Sequence, residues 1–303
     1  ADGRMLFTGG IDLTTGQPTA AAAIYDPSTQ QTTTLTMNAA RAGHGASLLP
    51  NGRVLISGGS NTFDLSNVLS LFTGVLNTCE FFDPTTNAFV AGPTMLEPRA
   101  FHTSTTLTNG NVLIAGGISV IPFVNIPTVS ATAYRYNPAN NSFGLPAVMG
   151  GGGRMLHSAV ALDNGKVLLC GGITLDLTTF LTTLNIQDII VGTRTDCQVY
   201  TSSAFGFGTF ATVNGMQEGR AGAAVAALPG GRALIAGGFQ LAIDISTSTF
   251  NIGWTNTADV LTGSTIAPTG SMASQRLFPL AVNLPDGTVM LVGGGAGNEI
   301  YQR

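Results

Sequence analysis

Six stretches of the chain are apolar at nearly every position and then end on two glycines. They read MLFTGG (5–10), VLISGG (54–59), VLIAGG (112–117), VLLCGG (167–172), ALIAGG (233–238) and VMLVGG (289–294). A short apolar run bounded by turn residues predicts a strand buried on both faces. Five of the six follow PNG, TNG, DNG, PGG or PDG. Asn-Gly and Asp-Gly pairs supply the positive φ angles of a tight hairpin turn. Before that turn lies another strand-like stretch: HGASLL, HTSTTL, HSAVAL, AAVAAL or PLAVNL. A third follows the glycines and ends on a landmark residue: Tyr25, Phe82, Tyr136, Tyr200, Leu261 and Tyr301. The first three landmarks precede Asp-Pro or Asn-Pro, and proline ends a ladder. A weaker fourth stretch runs to a methionine with an arginine close behind. In order along the chain, these four predicted strands of each unit are termed a, b, c and d.

The spacing of the units shows where they vary. From the second glycine to the landmark the separations are 15, 23, 19, 28, 23 and 7 residues. From the landmark to the next double glycine they are only 33, 34, 35, 37 and 32. Strands c, d, a and b are thus a constant frame, and the b–c connection carries the insertions. A repeat of about 50 residues with four strands predicts an all-β propeller, each unit one blade. The chain, 1–303, reads as a single such domain with six blades. The first unit has no strand a before DGRMLFTGG, and the last stops after strand c. The expectation is a ring whose seam is open, or filled by a neighbouring chain or a missing segment.

The Arg, Gly-Gly, Tyr-Asp order resembles the kelch family across essentially the whole chain. The resemblance implies a kelch-type six-bladed β-propeller and says little about function, because unrelated functions share one fold. One departure is visible. The aromatic expected in strand d is Phe89, Phe143 and Phe210 rather than Trp, which predicts looser packing there. The one tryptophan, Trp254, lies in a b–c insertion. In some kelch domains the face where the d–a and b–c loops emerge binds peptides, with arginines taking part. The resemblance extends to galactose-oxidase-like enzymes, which hold copper with two tyrosines and two histidines.

Composition narrows the partners. Charged residues are only 9% of the chain and the net charge is −4, with no basic run. Nucleic-acid binding is not expected, since phosphate neutralisation needs clustered Lys and Arg. No apolar run reaches the ~20 residues needed to span a bilayer. Low lysine with abundant Thr, Ser and Asn suggests an extracellular, secreted or surface protein.

Four sets of residues could carry chemistry. Arg41, Arg99, Arg154, Arg220 and Arg276 recur at the start of strand a. Guanidinium forks suit carboxylates, so these five could form a ring that recognises an acidic group. Alternatively, each ties its own blade to the next, which their presence in every complete blade favours. His44, His102 and His157 each follow a blade arginine by three residues. Three imidazoles can bind zinc or copper, although Ala223 and Pro279 fill the same slot later, and hydrogen bonding within the blade is the simpler reading. The insertions at 62–77, 118–130, 173–192 and 239–254 are apolar and divergent. Either they pack on one another as longer hairpins, or they expose Leu71, Phe72, Phe123, Ile189 and Trp254 as a contact surface. Cys170 and Cys197 sit on neighbouring strands b and c and could pair, although buried free thiols are the default.

No nucleophile motif, phosphate loop or carboxylate pair appears. Four of the five tyrosines occupy the strand-c landmark, so a copper site is not assembled from sequence. The sequence therefore points to a non-catalytic module without a cofactor, acting through its b–c face on a protein partner or in self-assembly. The alternative is a galactose-oxidase-like copper or carbohydrate-active enzyme.

Overall fold

The computed structural model describes residues 3–63, 73–121, 126–176, 180–183, 185, 190–203, 208–244 and 249–302. Of the residues expected in a contact surface, Leu71, Phe72, Phe123 and Ile189 lie outside the described residues. The described residues are all-β and antiparallel, with one four-residue helical turn among them.

Sheet one comprises β1 (Met5–Thr8), β2 (Ala21–Asp26) and β3 (Gln31–Thr36). Sheet two runs β4 (Gly45–Leu48), β5 (Val54–Ser57), β6 (Thr78–Asp83) and β7 (Ala88–Thr94). Sheet three begins with β8 (Thr103–Thr106) and β9 (Val112–Ala115). A separate hairpin, β10 (Ile118–Ile121) and β11 (Ile126–Val129), then leads into β12 (Thr132–Asn137) of sheet three. Its fourth strand is split around Pro146 into β13 (Ser142–Phe143) and β14 (Ala147–Val148), both paired with β12.

Sheet four holds β15 (Ser158–Ala161) and β16 (Val167–Cys170). The b–c insertion follows with β17 (Ile173–Asp176), α1 (Phe180–Thr183) and β18 (Ile190–Thr193). Sheet four then finishes with β19 (Cys197–Ser202) and β20 (Gly208–Val213). Sheet five holds β21 (Ala224–Leu228) and β22 (Arg232–Ala236). The insertion strands β23 (Phe239–Asp244) and β24 (Thr249–Trp254) follow in a separate sheet, and sheet five finishes with β25 (Ala258–Thr262) and β26 (Thr265–Pro268). Sheet six has β27 (Leu280–Asn283), β28 (Val289–Val292) and β29 (Glu299–Tyr301).

Each of the six double-glycine phrases is thus strand b of one sheet, flanked by c and, in five sheets, by a. The second glycines need left-handed backbone: Gly59 has φ 94° and Gly117 96°. A side chain at Gly58 would strike the Arg99 carbonyl, which fixes glycine there. The inner a strands of successive sheets run side by side, β4 against β8, then β15, β21 and β27. This is a propeller-like arrangement of radiating sheets.

Between neighbouring sheets lie separate apolar clusters. One joins Leu49, Leu55 and Phe81 of sheet two to Val112, Ile114 and Tyr136 of sheet three. The strand-d phenylalanines replace the expected tryptophan effectively. Phe89, Phe143 and Phe210 sit against Phe82, Tyr136 and Tyr200 with ring centroids 5.3, 5.4 and 5.1 Å apart. Tilted aromatic pairs at this distance add stability beyond their buried area. Cys170 and Cys197 stand opposite each other on β16 and β19 and form a disulfide. Cys79 on β6 is free and buried, which pushes its thiol up to about 12.

Candidate functional site

The chemistry-bearing residues converge where strand a begins, on the side of the b–c connections. The arginines lie deepest, essentially without exposure. Each reaches seventeen residues ahead to the carbonyl of the first glycine of the Gly-Gly pair. The Nη1 distances are 2.5 Å for Arg41 to Gly58, 2.7 Å for Arg99 to Gly116 and 3.2 Å for Arg154 to Gly171. They are 3.4 Å for Arg220 to Gly237 and 2.8 Å for Arg276 to Gly293.

Each arginine also has a carboxylate: Glu80, Glu97, Asp196, Asp259 and Glu299, respectively, at 2.6 to 2.9 Å. Buried cations need such partners because desolvation is costly. Burial lowers the pKa of Arg99, Arg154 and Arg220, and the facing carboxylates oppose that shift. Burial in turn raises Asp259, with the Arg220 charge acting against it. The carbonyl partners all lie in the unit that the arginine opens, so these side chains brace strands b and c of one sheet instead of tying one blade to the next.

Sequence reading missed the acid partners, although a signal was present. Glu80, Asp259 and Glu299 each stand two residues before a strand-c landmark. Where that slot holds Tyr134, the ring lies under the Arg99 guanidinium at 4.8 Å, and Glu97 supplies the charge from another position.

The histidines form the next tier. His44 Nε2 pairs with Thr8 Oγ1 at 2.9 Å, His102 with Ser57 Oγ at 2.9 Å, and His157 with Thr103 Oγ1 at 2.8 Å. Every one of these bonds reaches back to the preceding sheet, so the imidazoles staple successive sheets together. Burial, reinforced by the Arg41 charge, lowers His44 to about 4. Burial and Arg99 lower His102 to about 3. Burial and Arg154 hold His157 well below its ordinary value. All three are neutral at pH 7. The nearby arginine carbonyls pull weakly the other way, although Nδ1 meets no acceptor in hydrogen-bond geometry.

Two residues beyond each arginine stands a left-handed residue: Gly43, Phe101, Leu156, Gly222 and Phe278, with φ from 49° to 63°. Phe101 N–H donates to the Gly43 carbonyl at 2.6 Å, Leu156 N–H to Phe101 at 3.0 Å and Gly222 N–H to Leu156 at 2.8 Å. This backbone belt runs across sheets two to five. Non-glycine residues at positive φ carry strain, and the belt bonds hold Phe101 and Leu156 there. The glycines at 43 and 222 were the only sequence hint. With the histidines and Pro279, the belt rims a cavity of about 350 Å³.

The b–c insertions cover part of this rim. β17 and β18 join β23 and β24 in one four-stranded antiparallel sheet across the β18–β23 pairing. Ile173 and Phe239 turn inward and pack with Met155, Leu156 and Leu277. Phe239 meets Phe278 edge to face at 5.4 Å. The insertions of units four and five therefore pack on one another. Their far edge strand, β24, nonetheless leaves Ile252 63% and Trp254 50% exposed.

A copper site of the oxidase type does not fit the donors present. All three histidines, all five tyrosines and all three cysteines are among the described residues. Each histidine spends Nε2 on a hydroxyl, Cys170 is bonded to Cys197, and the Cys79 thiol is neutral. Among the described residues no three His, Cys, Asp or Glu side chains group as a metal site requires.

No protein-family model and no curated protein sequence matches the chain. Solved structures do. YjhT is 13% identical, with a TM-score of 0.62, over 97% of this chain and 91% of that one. A fungal alcohol oxidase of the AA5 family, in complex with copper, is 16% identical, with a TM-score of 0.52, over 97% of this chain and 68% of that one. These likenesses fit a kelch- or galactose-oxidase-like all-β fold. At such identity they speak for the fold alone. No helix among the described residues is long and apolar enough to cross a membrane.

Proposed function

We propose that the chain is a non-catalytic binding module, a kelch-type six-bladed propeller forming one domain that engages a protein partner through its b–c face. The observation that carries this reading is the insertion sheet. Two units build a shared sheet over the rim and leave Ile252 and Trp254 exposed on its outer strand, β24. Exposed apolar groups on an open sheet edge favour protein contact. The frame residues beneath are spent on one another, which leaves little chemistry for a substrate.

The Cys170–Cys197 disulfide supports an extracellular or surface location, because such bonds persist in oxidising compartments. The likeness to a copper-bound oxidase favours the enzyme alternative, but the donor set described above stands against it.

The test pairs two measurements on the purified protein. Ile252→Glu and Trp254→Glu together should leave the unfolding free energy in urea within about 1 kcal/mol of wild type, at about 0.5 kcal/mol for each exposed site. The same variant should lose the partner or the self-association that native mass reveals in the wild type. Unchanged association in the variant would remove the b–c face from consideration. One equivalent of copper per purified chain would establish the alternative instead.

A further inference from the structure

We infer that Asn140 is an N-glycosylation acceptor, modified by a transferase that uses a lipid-diphosphate-linked oligosaccharide. The inference rests on the extracellular location proposed above and adds a modification to it. Asn140–Asn141–Ser142 is the one Asn-x-Ser or Asn-x-Thr triplet in the 303 residues, and its middle residue is not proline. Such a triplet is an acceptor signal where it lies on the surface of a secreted chain.

The triplet lies in the turn between β12 and β13, and all three of its residues are exposed. The equivalent turns of sheets one, two and three share one construction. Asp26, Asp83 and Asn137 each accept the backbone N–H two residues on, at 2.9, 3.0 and 3.0 Å. Gln30, Asn87 and Asn141 each take the left-handed conformation, with φ of 57°, 50° and 52°. Asn141 is held further by the Tyr136 hydroxyl, which donates to its Oδ1 at 2.9 Å. The slot just before the left-handed residue holds Thr29, Thr86 and Asn140. The turn therefore closes without the Asn140 side chain. Among the described residues, Asn140 Nδ2 donates to no protein group, and Oδ1 accepts the Ser142 hydroxyl at 2.8 Å. The nitrogen that a sugar would substitute is thus open to water, beside the hydroxyl that the signal requires.

β12 runs from the b–c connection to this turn and β13 returns from it, so the turn lies at the end of sheet three opposite that connection. A glycan at Asn140 stands away from the insertion sheet that carries Ile252 and Trp254. It stands instead at the outer margin of sheet three, where β13 and β14 are two residues each and Leu145 and Val148 are exposed. Apolar groups on an outer strand invite pairing with other chains, and a bulky hydrophilic group beside them opposes that. In the transfer, Asn140 Nδ2 forms a bond to C1 of the first sugar, and the bond from C1 to the lipid diphosphate oxygen breaks. The lipid diphosphate leaves with the electron pair, and Nδ2 releases one proton to solvent.

The experiment directs the full chain into the secretory pathway of a eukaryotic cell line and reads the intact mass of the secreted protein. The expected mass exceeds that of the polypeptide by one glycan. It returns to the polypeptide mass, with Asn140 converted to aspartate, once amide-linked glycans are cleaved enzymatically. Asn140→Gln and Ser142→Ala should each abolish the excess, and Ser142→Thr should keep it. Ser142→Ala retains the asparagine, so its loss of the glycan isolates the signal hydroxyl. A bare polypeptide mass with Cys170 and Cys197 joined would overturn the inference and leave the extracellular reading standing. A bare mass with both thiols free would remove the two together. A mass excess that survives in Asn140→Gln would place the sugar elsewhere and also overturn the inference.

Discussion

The three buried neutral histidines make a strong demand on pH. An unfolded chain protonates each imidazole below pH 6.5, whereas the native state resists until about 4 at His44 and about 3 at His102. Between these values the unfolded state binds more protons, so stability must rise with pH and fall as pH drops. From pH 6.5 to 5 each histidine removes about 1.5 kcal/mol, because the slope reaches its full value of roughly 1.4 kcal/mol per pH unit only below 6.5. The three together remove about 5 kcal/mol, a large part of the 5–15 kcal/mol that holds a domain folded.

Carboxylates with lowered pKa values, such as Asp12, Asp26, Asp83, Asp196 and Glu299, lose their contribution only at lower pH. Asp259, with a raised pKa, acts in the opposite sense above 3.8. The window from 6.5 to 5 therefore belongs to the histidines. Urea unfolding at pH 7, 6 and 5 measures the slope directly. His102→Gln should reduce that slope by about a third. Equal midpoints at pH 7 and pH 5 would show that the imidazoles do not stay neutral in the folded chain, and the stapling argument would fail with them.

Other outcomes follow from the same frame. Ser57 stands opposite Cys79 in the register that Cys170 shares with Cys197. Ser57→Cys should therefore form a second disulfide, seen as a loss of about 2 Da and of free thiols in intact mass. Arg220→Ala leaves Asp259 buried without its cation, and should cost about 3–5 kcal/mol in urea unfolding. The double variant Arg220→Met with Asp259→Leu should recover much of that loss. Gly222→Val places a Cβ within 2.4 Å of the Phe278 ring at φ 58°, and should lower the thermal midpoint by several degrees.

The frame was legible because its signals repeat. Gly-Gly after an apolar run, Asn-Gly before it and a landmark aromatic after it each mark one strand, and repetition turned weak local cues into register. The arginines were legible as a periodic set, but not their partners. Glu80 and Asp259 occupy the same slot as Tyr134 and Gln198, so the acid ring is irregular in sequence. Where strand c cannot supply the charge, Glu97 and Asp196 supply it from other positions. The belt at Phe101, Leu156 and Phe278 escaped notice because bulky residues rarely signal positive φ. Only the inter-sheet bonds make that conformation visible. The insertion sheet depends on β18 meeting β23 across two units, a long-range pairing with no local signature.

The distribution of polar groups then constrains what this molecule can do. The Nη atoms of each arginine meet a carboxylate and a carbonyl, and Nε2 of each imidazole meets a hydroxyl of the sheet before it. The belt closes three of the backbone amides at the rim. The recurring arginines thus brace single sheets, and the three histidines join neighbouring ones. Outside that frame stands the apolar edge at Ile252 and Trp254, exposed on the outer strand of the insertion sheet. Under the proposed reading this edge meets another polypeptide, so charge placed at Trp254 should weaken association while the pH dependence of urea unfolding, which the buried histidines set, stays that of the wild type. A variant that changed both together would show that the edge is part of the frame and not a surface laid over it.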